Sequence, residues 1–440
     1  MNYLTMKRIV LITNIVFFIG YINASAQDTL KIDEAIQLGL ENNFDIKISK
    51  GQQQIASNNN SLGNAGFLPT LDLSASQRYT KENTSLKFFN GTEQSRDGAK
   101  SNNLAEGAVI NWTIFDGTTM FQTKNRLEEQ EKMAFAQNDA VIQNTVAQIG
   151  FEFYTVALEQ IRLNLFKENI SLSEDRLEIA KNKFELGKVA KAEFLQAQVD
   201  LNNDKSNYLI QQQRLATSKT TLNELLARDV TLDFYVVFDP ELNISLDYDE
   251  LKTSMQSSNP ELIASLYDMN ATRLVEKEIK GERLPIIGLN GGYNYAKSEA
   301  EAGQLLSRKS TGFNYGISAS WQLFNGFNVN RRVQNAKILA ENSSLNYEAI
   351  KLNLDKALYS TYINYQNNIQ LHKMEEQNRE VARENNEIAI ERYRVGTSSP
   401  LELREAQINL LEANLRFLNA AYSIKTGEID LLMLSGKILK

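Results

Sequence analysis

Two glutamates near the carboxyl end of the chain, Glu402 and Glu405, have the spacing of carboxylates that could act together. Residues three positions apart lie on one face of a helix. If several copies of the chain surrounded one axis, these pairs would form a ring of carboxylates that repels anions and attracts cations. Most exposed glutamate pairs form only a solvated helix face, and the spacing alone does not separate the two interpretations.

Other chemistry has little support in the sequence. The 440 residues include one histidine, His372, and no cysteine, which excludes disulfides, thiolate metal sites and a catalytic cysteine. We find no metal-ligand spacing, phosphate-binding loop or serine elbow, and a lone histidine in a polar helix is usually a surface residue. The net charge of −7 disfavours nucleic acid, which requires a basic patch. We therefore expect a protein that is not an enzyme and has no metal or cofactor.

The first residues have the pattern of a secretory signal peptide at 1–26. Two basic residues precede an apolar run over 9–22, and the small residues Ala24–Ala26 follow. The mature protein is expected to begin near Gln27 and to carry no lipid, because there is no cysteine to modify. A membrane anchor would need a longer apolar run. No later run approaches about 18 apolar residues, so any membrane-spanning part would consist of β-strands closed into a barrel.

The chain contains an internal duplication. Two motifs recur at a separation of 209 residues, and a proline upstream of them recurs at a separation of 216 residues. The first copy therefore has seven extra residues between its proline and its tryptophan, and we place them in a loop. The pairs are Asn111–Gly117 with Ser320–Gly326, Phe184–Gly187 with Tyr393–Gly396, and Pro69 with Pro285. Chance matches would not keep one register over such a length, and a repeat of this kind determines how the fold is organised.

The duplication divides the whole chain. We assign the first repeat to 27–228 and the second to 248–435, with a linker at 229–247 that contains a short strand and a turn, and a tail at 436–440. Each repeat is predicted to contain a helix, two strands, a very long helix, a tight glycine turn and a returning helix.

Strict alternation of apolar and polar residues predicts four strands of roughly ten residues, the length that a tilted membrane strand requires. In the last of them, Phe313, Tyr315 and Ile317 alternate with Asn314 and Gly316. The strands are placed at about 68–80, 104–115, 285–297 and 311–324, and polar loops at about 81–103 and 297–311 join them in pairs.

Large aromatic residues cluster at the strand ends opposite those loops, where an aromatic belt at the membrane–water boundary would lie. They are Trp112, Phe115, Trp321 and Phe324. The strands of a soluble sandwich also alternate, but a sandwich does not explain why only four strands occur among so much helix.

Helices account for most of the remaining residues. The segments 118–186 and 327–395 contain no proline, and roughly 69 helical residues at about 1.5 Å each span on the order of 100 Å. The returning helices, 188–228 and 400–435, are shorter. A returning helix placed end to end with the helix that precedes the strands, at about 31–61 in the first repeat, has about the same total length as one long helix. Alternating large and small residues form a heptad seam in the last helix: Leu403, Ala406, Leu410, Ala413, Phe417, Ala420 and Ile424.

Four strands are too few to close a membrane barrel, since even the smallest single-chain barrels use about eight. Cyclic symmetry offers two copies for eight strands or three copies for twelve. An eight-stranded barrel is filled by side chains, whereas a larger one leaves a water channel that suits a hollow helical body. The predicted fold is therefore mixed α and β, mostly α. Four strands would enter a trimeric twelve-stranded transmembrane barrel, which a long periplasmic coiled-coil barrel of helices continues.

The duplication and two turn motifs resemble the TolC-like outer-membrane efflux proteins over essentially the whole mature chain. The motifs are the Trp-x-Leu/Ile-Phe-Asp/Asn-Gly turn from strand to helix and the Tyr/Phe-x-x-Gly turn between the long and returning helices. The resemblance implies a homotrimer in the outer membrane of a Gram-negative bacterium, with a tunnel closed at its periplasmic tip. It also implies docking of a periplasmic adaptor there, and through the adaptor an inner-membrane RND or ABC transporter, for efflux or type I secretion.

The same resemblance assigns roles to residues at the tip. Glu402 and Glu405 match the paired acids of the tunnel constriction, and Glu193 and Tyr393 match an acid and a tyrosine that hold neighbouring coils together in the closed state. Some members have a basic residue two positions after the tip glycine, where this chain has Ser398. The turns expected to receive the adaptor comprise Gly187, Lys188, Val189, Gly396, Thr397 and Ser398.

One other class of protein fits many of these features. A secreted coiled-coil scaffold or adhesin would have the signal peptide and the helices, with the strands as a soluble hairpin module. Such a protein would be a soluble elongated oligomer, whereas a passive outer-membrane channel-tunnel would be an embedded trimer.

Overall fold

The computed structural model describes residues 29–237 and 246–439. The predicted signal peptide and part of the predicted linker lie outside the described residues. In chain order the elements are β1 (Thr29–Leu30), α1 (Ile32–Asn42), α2 (Phe44–Asn59), β2 (Thr70–Lys87), β3 (Glu93–Asp116), α3 (Thr119–Glu185), α4 (Lys191–Leu225), β4 (Tyr235–Val236), α5 (Tyr248–Ser258), α6 (Pro260–Gly281), β5 (Ile286–Ala300), β6 (Ser307–Ser320), α7 (Asn328–Val395) and α8 (Pro400–Leu434).

The described residues form two compact units. The first contains 29–44, 144–237 and 361–431, and the second contains 45–143, 247–360 and 432–439. Each of the predicted repeats therefore contributes to both units, because its long helix runs from one unit into the other.

The second unit contains a four-stranded antiparallel sheet in the order β2-β3-β5-β6. At the hairpin end the strands extend past their predicted ends. The prediction of long polar loops at 81–103 and 297–311 is therefore wrong. Residues between the two strands of each hairpin number only five in 88–92 and six in 301–306. Alternation disappears where both faces of a strand are polar, but the backbone ladder continues. The seven extra residues accordingly lengthen the paired strands of the first hairpin and not its turn.

The last strand also ends earlier than predicted. β6 stops at Ser320, four residues before the predicted end at Phe324. Its neighbour β5 begins at Ile286, which pairs with Ser320. The residues after Ser320 consequently have no strand to pair with.

Every second row of paired residues in the part of the sheet near the helices places apolar side chains on the same face. One such row joins Leu71, Ile110, Gly291 and Tyr315 across all four strands. In the single chain this face is uncovered: Leu73 is 82% exposed and Tyr315 is 85% exposed. The opposite face is also exposed but carries small and polar residues, so exposure to water is unfavourable only for the apolar face.

The turns from the sheet into the long helices have closely similar geometry in the two halves of the chain. Gly117 has a φ of +74° and Gly326 a φ of +67°, and the residue after each glycine also has a positive φ. L-residues with side chains avoid this region, which explains why glycine occupies both positions. At the first turn, both carboxylate oxygens of Asp116 accept hydrogen bonds from the backbone N–H of Met120 at 2.9 and 3.0 Å, which caps α3.

The helix predicted at 31–61 is interrupted at Asn43, where α1 ends and α2 begins. The Asn43 side chain donates a hydrogen bond to the carbonyl oxygen of Leu225 at 2.9 Å. Asn259 separates α5 from α6 in the same way, donates to the carbonyl oxygen of Leu434 at 3.0 Å, and caps α6 at the N–H of Leu262. Periodicity alone did not reveal either break, although Pro260 at the first position of α6 is typical of a helix start.

The long helices α3 and α7 contain 67 and 68 residues, within two residues of their predicted ends. The first returning helix is shorter than predicted, because α4 begins three residues after the expected start and ends at Leu225. Five of the predicted seam residues of α8 are buried, namely Leu403, Ala406, Ala413, Ala420 and Ile424. In the first unit, β1 pairs in parallel with β4 beside a core that includes Phe153, Leu222 and Phe234.

No helix within the described ranges combines the length and apolar character needed to cross a membrane.

The two glycine turns allow a matched test of local packing. A Cβ added at Gly117 would lie 2.0 Å from the carbonyl oxygen of Gly281, whereas at Gly326 the nearest atom is 3.8 Å away. Gly326→Ala should cost about 1 kcal/mol because of its φ alone, and Gly117→Ala roughly 3 kcal/mol because a backbone clash is added. The comparison is the shift of the thermal unfolding midpoint of the purified protein in detergent. Equal shifts would mean that the Gly117–Gly281 contact does not determine the turn.

Candidate functional site

Both tip turns end their long helices in a left-handed glycine. At the first, the N–H of Gly187 bonds to the carbonyl oxygen of Phe184 at 2.9 Å, and that of Lys188 to Lys183 at 2.8 Å. At the second, Gly396 bonds to Tyr393 at 3.1 Å and Thr397 bonds to Arg392 at 2.9 Å. At each turn these two backbone hydrogen bonds satisfy carbonyl groups of the last helical turn. They require the positive φ that both glycines have. The predicted tip residues are exposed except Val189 and Ser398, which are half-buried.

The second turn leads directly into the start of α8. Pro400 is the first helical residue, and the Ser399 hydroxyl accepts a hydrogen bond from the N–H of Glu402 at 3.2 Å. The Ser398 hydroxyl donates to the Glu402 carboxylate at 2.6 Å, and Arg392 lies 3.9 Å from the same carboxylate. Ser398, the departure from the family pattern, therefore contacts one of the two predicted gate acids.

Glu402 and Glu405 are both exposed at the start of α8. Leu403 and Ala406, which follow each of them, belong to the buried seam of the same helix. Burial of the seam holds the helix in a fixed rotation, so both carboxylates are directed away from the packed side. Within one chain these acids have the exposure that a shared ring would need.

The other two predicted site residues are in contact. The Tyr393 hydroxyl, on α7, donates a hydrogen bond to Glu193 Oε1, on α4, at 2.9 Å. Tyr393 is only 1% exposed, and its burial together with the hydrogen bond to Glu193 raises the pKa of the phenol well above its usual value. Lys183 Nζ lies 3.8 Å from the centre of the Tyr393 ring and donates to the Tyr393 carbonyl oxygen at 2.6 Å. The tyrosine thus links α3, α4 and α7.

A buried ion-pair network beside this contact was not predicted from the sequence. Arg404 of α8 binds both carboxylate oxygens of Asp204 of α4, at 2.8 and 3.0 Å. The Ser173 hydroxyl of α3 donates to the same carboxylate at 2.5 Å. Close by, Arg176 pairs with Asp200 at 2.6 Å.

Burial makes this network significant for stability. The side chain of Asp204 is 4% exposed and that of Arg176 is 3% exposed, and burial lowers the pKa of the Arg176 guanidinium from its ordinary value. Removing one partner of a buried ion pair is costly, because the other charge then stays inside the protein without compensation. No sequence signal marks Arg404, because charged residues are common at positions that flank a heptad seam.

The predicted interface aromatics lie at one end of the sheet. Trp112 and Phe115 are within β3, and Trp321 and Phe324 follow the end of β6. The indole N–H of Trp112 donates to the carbonyl oxygen of Phe67 at 2.8 Å, and that of Trp321 donates to Arg283 at 2.9 Å. Each tryptophan therefore fixes the chain entering its hairpin while its ring remains partly exposed.

The single histidine packs against the last helix. The His372 ring lies 4.5 Å from the ring of Phe417, a seam residue, and burial lowers the pKa of the imidazole. His372 is half-buried, so it lies less openly on the surface than a lone helical histidine usually does. Across the described part of the chain, no group of three or more His, Cys, Asp or Glu residues is arranged to hold a metal ion.

The Arg404–Asp204 pair provides a test of how the tip is held. Arg404→Met should lower the free energy of unfolding by about 3 kcal/mol, because Asp204 would remain buried without its guanidinium partner. The thermal unfolding midpoint in detergent reports the change. Arg394→Met is the matched control, since Arg394 and Glu391 are more than half exposed, and it should change stability by no more than about 0.5 kcal/mol.

A double variant distinguishes the effect of the unpaired buried charge from the effect of changed packing. The double substitution Asp204→Leu with Arg404→Met should recover most of the lost stability, because no buried charge then remains unpaired. A double variant as unstable as Arg404→Met alone would contradict the proposed cause.

The sequence and the fold are both similar to those of known outer-membrane proteins. Residues 35–228 and 251–437 match the family model described as outer membrane efflux protein. The chain is 21% identical over 386 residues to Nodulation protein T of Rhizobium leguminosarum bv. trifolii, covering 85% of this chain and 79% of that protein. It is also 21% identical to Outer membrane protein TolC of Vibrio cholerae, over 71% of this chain and 72% of that protein.

The fold is shared with a solved outer-membrane channel. The crystal structure of the Campylobacter jejuni CmeC outer membrane channel superposes with a TM-score of 0.79, at 19% identity, over 92% of this chain and 85% of that one.

Proposed function

The chain belongs to the outer membrane efflux protein family, and from that premise we propose that it is one protomer of a passive homotrimeric channel-tunnel. The family is one of outer-membrane efflux channels of the TolC type, so transport rather than catalysis is its function. In our proposal the trimer receives substrates from a periplasmic adaptor and an inner-membrane RND or ABC transporter and releases them outside the cell. The protein carries no enzyme activity and no lipid anchor.

The observation that carries the proposal is the incomplete sheet. Among the described strands, β2 and β6 each pair on one side only, and the apolar face of the sheet is bare. Unpaired backbone groups in lipid cost several kcal/mol each, and closure of the strands into a barrel removes them. Pairing of β2 in one copy with β6 in the next satisfies both edges, and three copies give a barrel of twelve strands.

The helices support association between copies. On α7, large apolar residues at seven-residue spacing remain exposed in the single chain, including Leu345 and Leu352 near one end and Val381 and Ile388 near the other. This spacing is that of a coiled-coil seam. A second copy of the chain is the partner that would cover this stripe in the proposed trimer.

The internal duplication also supports the assembly. The family model matches the chain in two segments, 35–228 and 251–437, which correspond closely to the two proposed repeats. With two repeats in each chain, three chains supply six similar units around the proposed axis.

A pair of adjacent residues tests the membrane face. Tyr315 lies on the apolar face of β6, and Asn314 lies on the opposite face. Tyr315→Arg should reduce the trimer recovered from the outer-membrane fraction, because an arginine facing lipid costs about 2–4 kcal/mol near the midplane. Asn314→Arg would face water and should assemble normally.

The readout is the heat-modifiable trimer band on a gel, measured after membrane fractionation. Normal assembly of both variants, or recovery of the wild-type protein as a soluble elongated oligomer, would favour a secreted scaffold instead.

At the tip, we propose that Glu402 and Glu405 form a ring of six carboxylates that narrows the channel. The exposure of both acids supports this role. Ser398, at the position where some members of the family have a basic residue, donates a hydrogen bond to the Glu402 carboxylate at 2.6 Å. Glu193 and Tyr393 hold the helices of the closed tip together through their 2.9 Å hydrogen bond. The two glycine turns, with Lys188, Val189, Thr397 and Ser398, present the surface that docks the adaptor.

The carboxylate ring has an electrical consequence. Glu402→Ala with Glu405→Ala should reduce the preference of the channel for cations in planar-bilayer conductance, because a negative constriction attracts cations. Glu384→Ala with Glu387→Ala is the matched control, since these exposed glutamates have the same spacing on α7 but lie outside the proposed ring. Unchanged selectivity in the first variant would reject the ring.

A further inference from the structure

Two pairs of lysines lie directly opposite each other in the sheet. Lys81 of β2 pairs with Lys100 of β3, and Lys297 of β5 pairs with Lys309 of β6. Like charges directly opposite on neighbouring strands destabilise an antiparallel sheet. One such pair could be incidental, but the sheet has one in each hairpin.

The two pairs are equivalent under the duplication. Lys81 and Lys297 are 216 residues apart, which is the separation of Pro69 and Pro285. Lys100 and Lys309 are 209 residues apart, which is the separation of the two tryptophans. Both lysine pairs therefore occupy the same place in their hairpins, and the seven extra residues lie between Lys81 and Lys100.

All four lysines are on the apolar face of the sheet, next to its outermost aromatic residues. Lys81 is two residues beyond Tyr79, and Lys297 is two residues beyond Tyr295, so each shares a face with that tyrosine. Lys309 Nζ lies 5.4 Å from the centre of the Tyr295 ring. The lysines thus lie between the apolar residues of this face and the hairpin turns, at the end of the sheet opposite Trp112 and Trp321.

The acidic residues near the lysines neutralise only part of this charge. Glu299 on the same face pairs with Lys297 at 2.7 Å. Glu301 lies 3.8 Å from Arg96, and its carboxylate accepts a hydrogen bond from the backbone N–H of Lys100 at 3.2 Å. Glu106 lies on the same face, opposite Tyr295. Within the residues that the structure describes, the ammonium groups of Lys81, Lys100 and Lys309 form no ion pair.

We propose that these lysines bind the phosphate groups of an outer-leaflet glycolipid. The inference rests on the proposed function, in which the apolar face meets lipid. The hairpin turns then face outside, because the helices that extend into the periplasm leave the opposite end of the strands. A lysine placed just beyond an aromatic row extends its ammonium group into the headgroup layer. Phosphates there relieve the repulsion within each lysine pair, and three copies of the chain supply twelve lysines around the barrel.

The test measures lipid binding by the purified wild-type trimer in a non-ionic detergent. The probe is bis-phosphorylated lipid A, with chemically dephosphorylated lipid A and inorganic phosphate as comparison ligands. Wild-type protein should bind the phosphorylated lipid at least tenfold more tightly than the dephosphorylated lipid, and binding should weaken as salt is added. The quadruple variant K81Q/K100Q/K297Q/K309Q should lose at least tenfold in affinity for the phosphorylated lipid.

A matched pair of double variants separates this face from general charge. K100Q/K309Q removes two cations from the lipid-facing side, and R78Q/R308Q removes two from the opposite face of the same sheet. Only the first should weaken lipid binding. Equal loss in both variants, unchanged binding by the quadruple variant, or equally tight binding of inorganic phosphate would overturn the proposal.

Conductance in planar bilayers keeps this result separate from the proposed function. A wild-type protein that conducts but does not discriminate phosphorylated lipid would refute only the lysine site. A wild-type protein that neither inserts nor conducts would refute the channel itself.

Discussion

The backbone groups at the two free edges of the β2-β3-β5-β6 sheet constrain everything else in this protein. In water, edge N–H and C=O groups can bond to solvent, but in lipid they must pair with another strand. One chain provides only four strands, and they cannot close on themselves. In the proposed assembly, association of copies is thus a condition for membrane insertion. The exposed stripe on α7 fits the same requirement, since copies that join through their strands also bring their helices together.

The sequence patterns that predicted the fold correctly all depend on burial or on backbone conformation. Alternation placed the apolar face of the sheet, and helix length and glycine placed α3, α7 and the turns after them. The errors occur where those signals are absent. The outer parts of the hairpins are polar on both faces, so their pairing leaves no alternation to read. Asn43 and Asn259 break helices through hydrogen bonds to distant carbonyl groups, which local periodicity does not encode.

The candidate site residues came from the family resemblance, which located Glu193, Tyr393, Glu402 and Glu405 by their distances from the glycine turns. Only Glu193 and Glu402 are equivalent under the 209-residue offset, so the duplication by itself does not give the set. The Arg404–Asp204 pair has no such marker, because its partners come from two helices that are far apart in sequence. It became visible only once packing had brought α3, α4 and α8 together. Such a pair adds little net stability when it is intact, but the removal of one partner is costly because it leaves a buried charge unpaired.

The seven residues that distinguish the two hairpins have a consequence for symmetry. Toward the glycine turns, the two halves of each chain have similar turn geometry, so the proposed trimer would approximate a sixfold ring there. At the hairpin end, β2 and β3 are longer than β5 and β6. Long and short hairpins would therefore alternate around the outer end of the proposed barrel, and only threefold symmetry would remain there. A molecule approaching from outside the cell would therefore meet three equal sites, whereas one approaching from the periplasm would meet six similar ones.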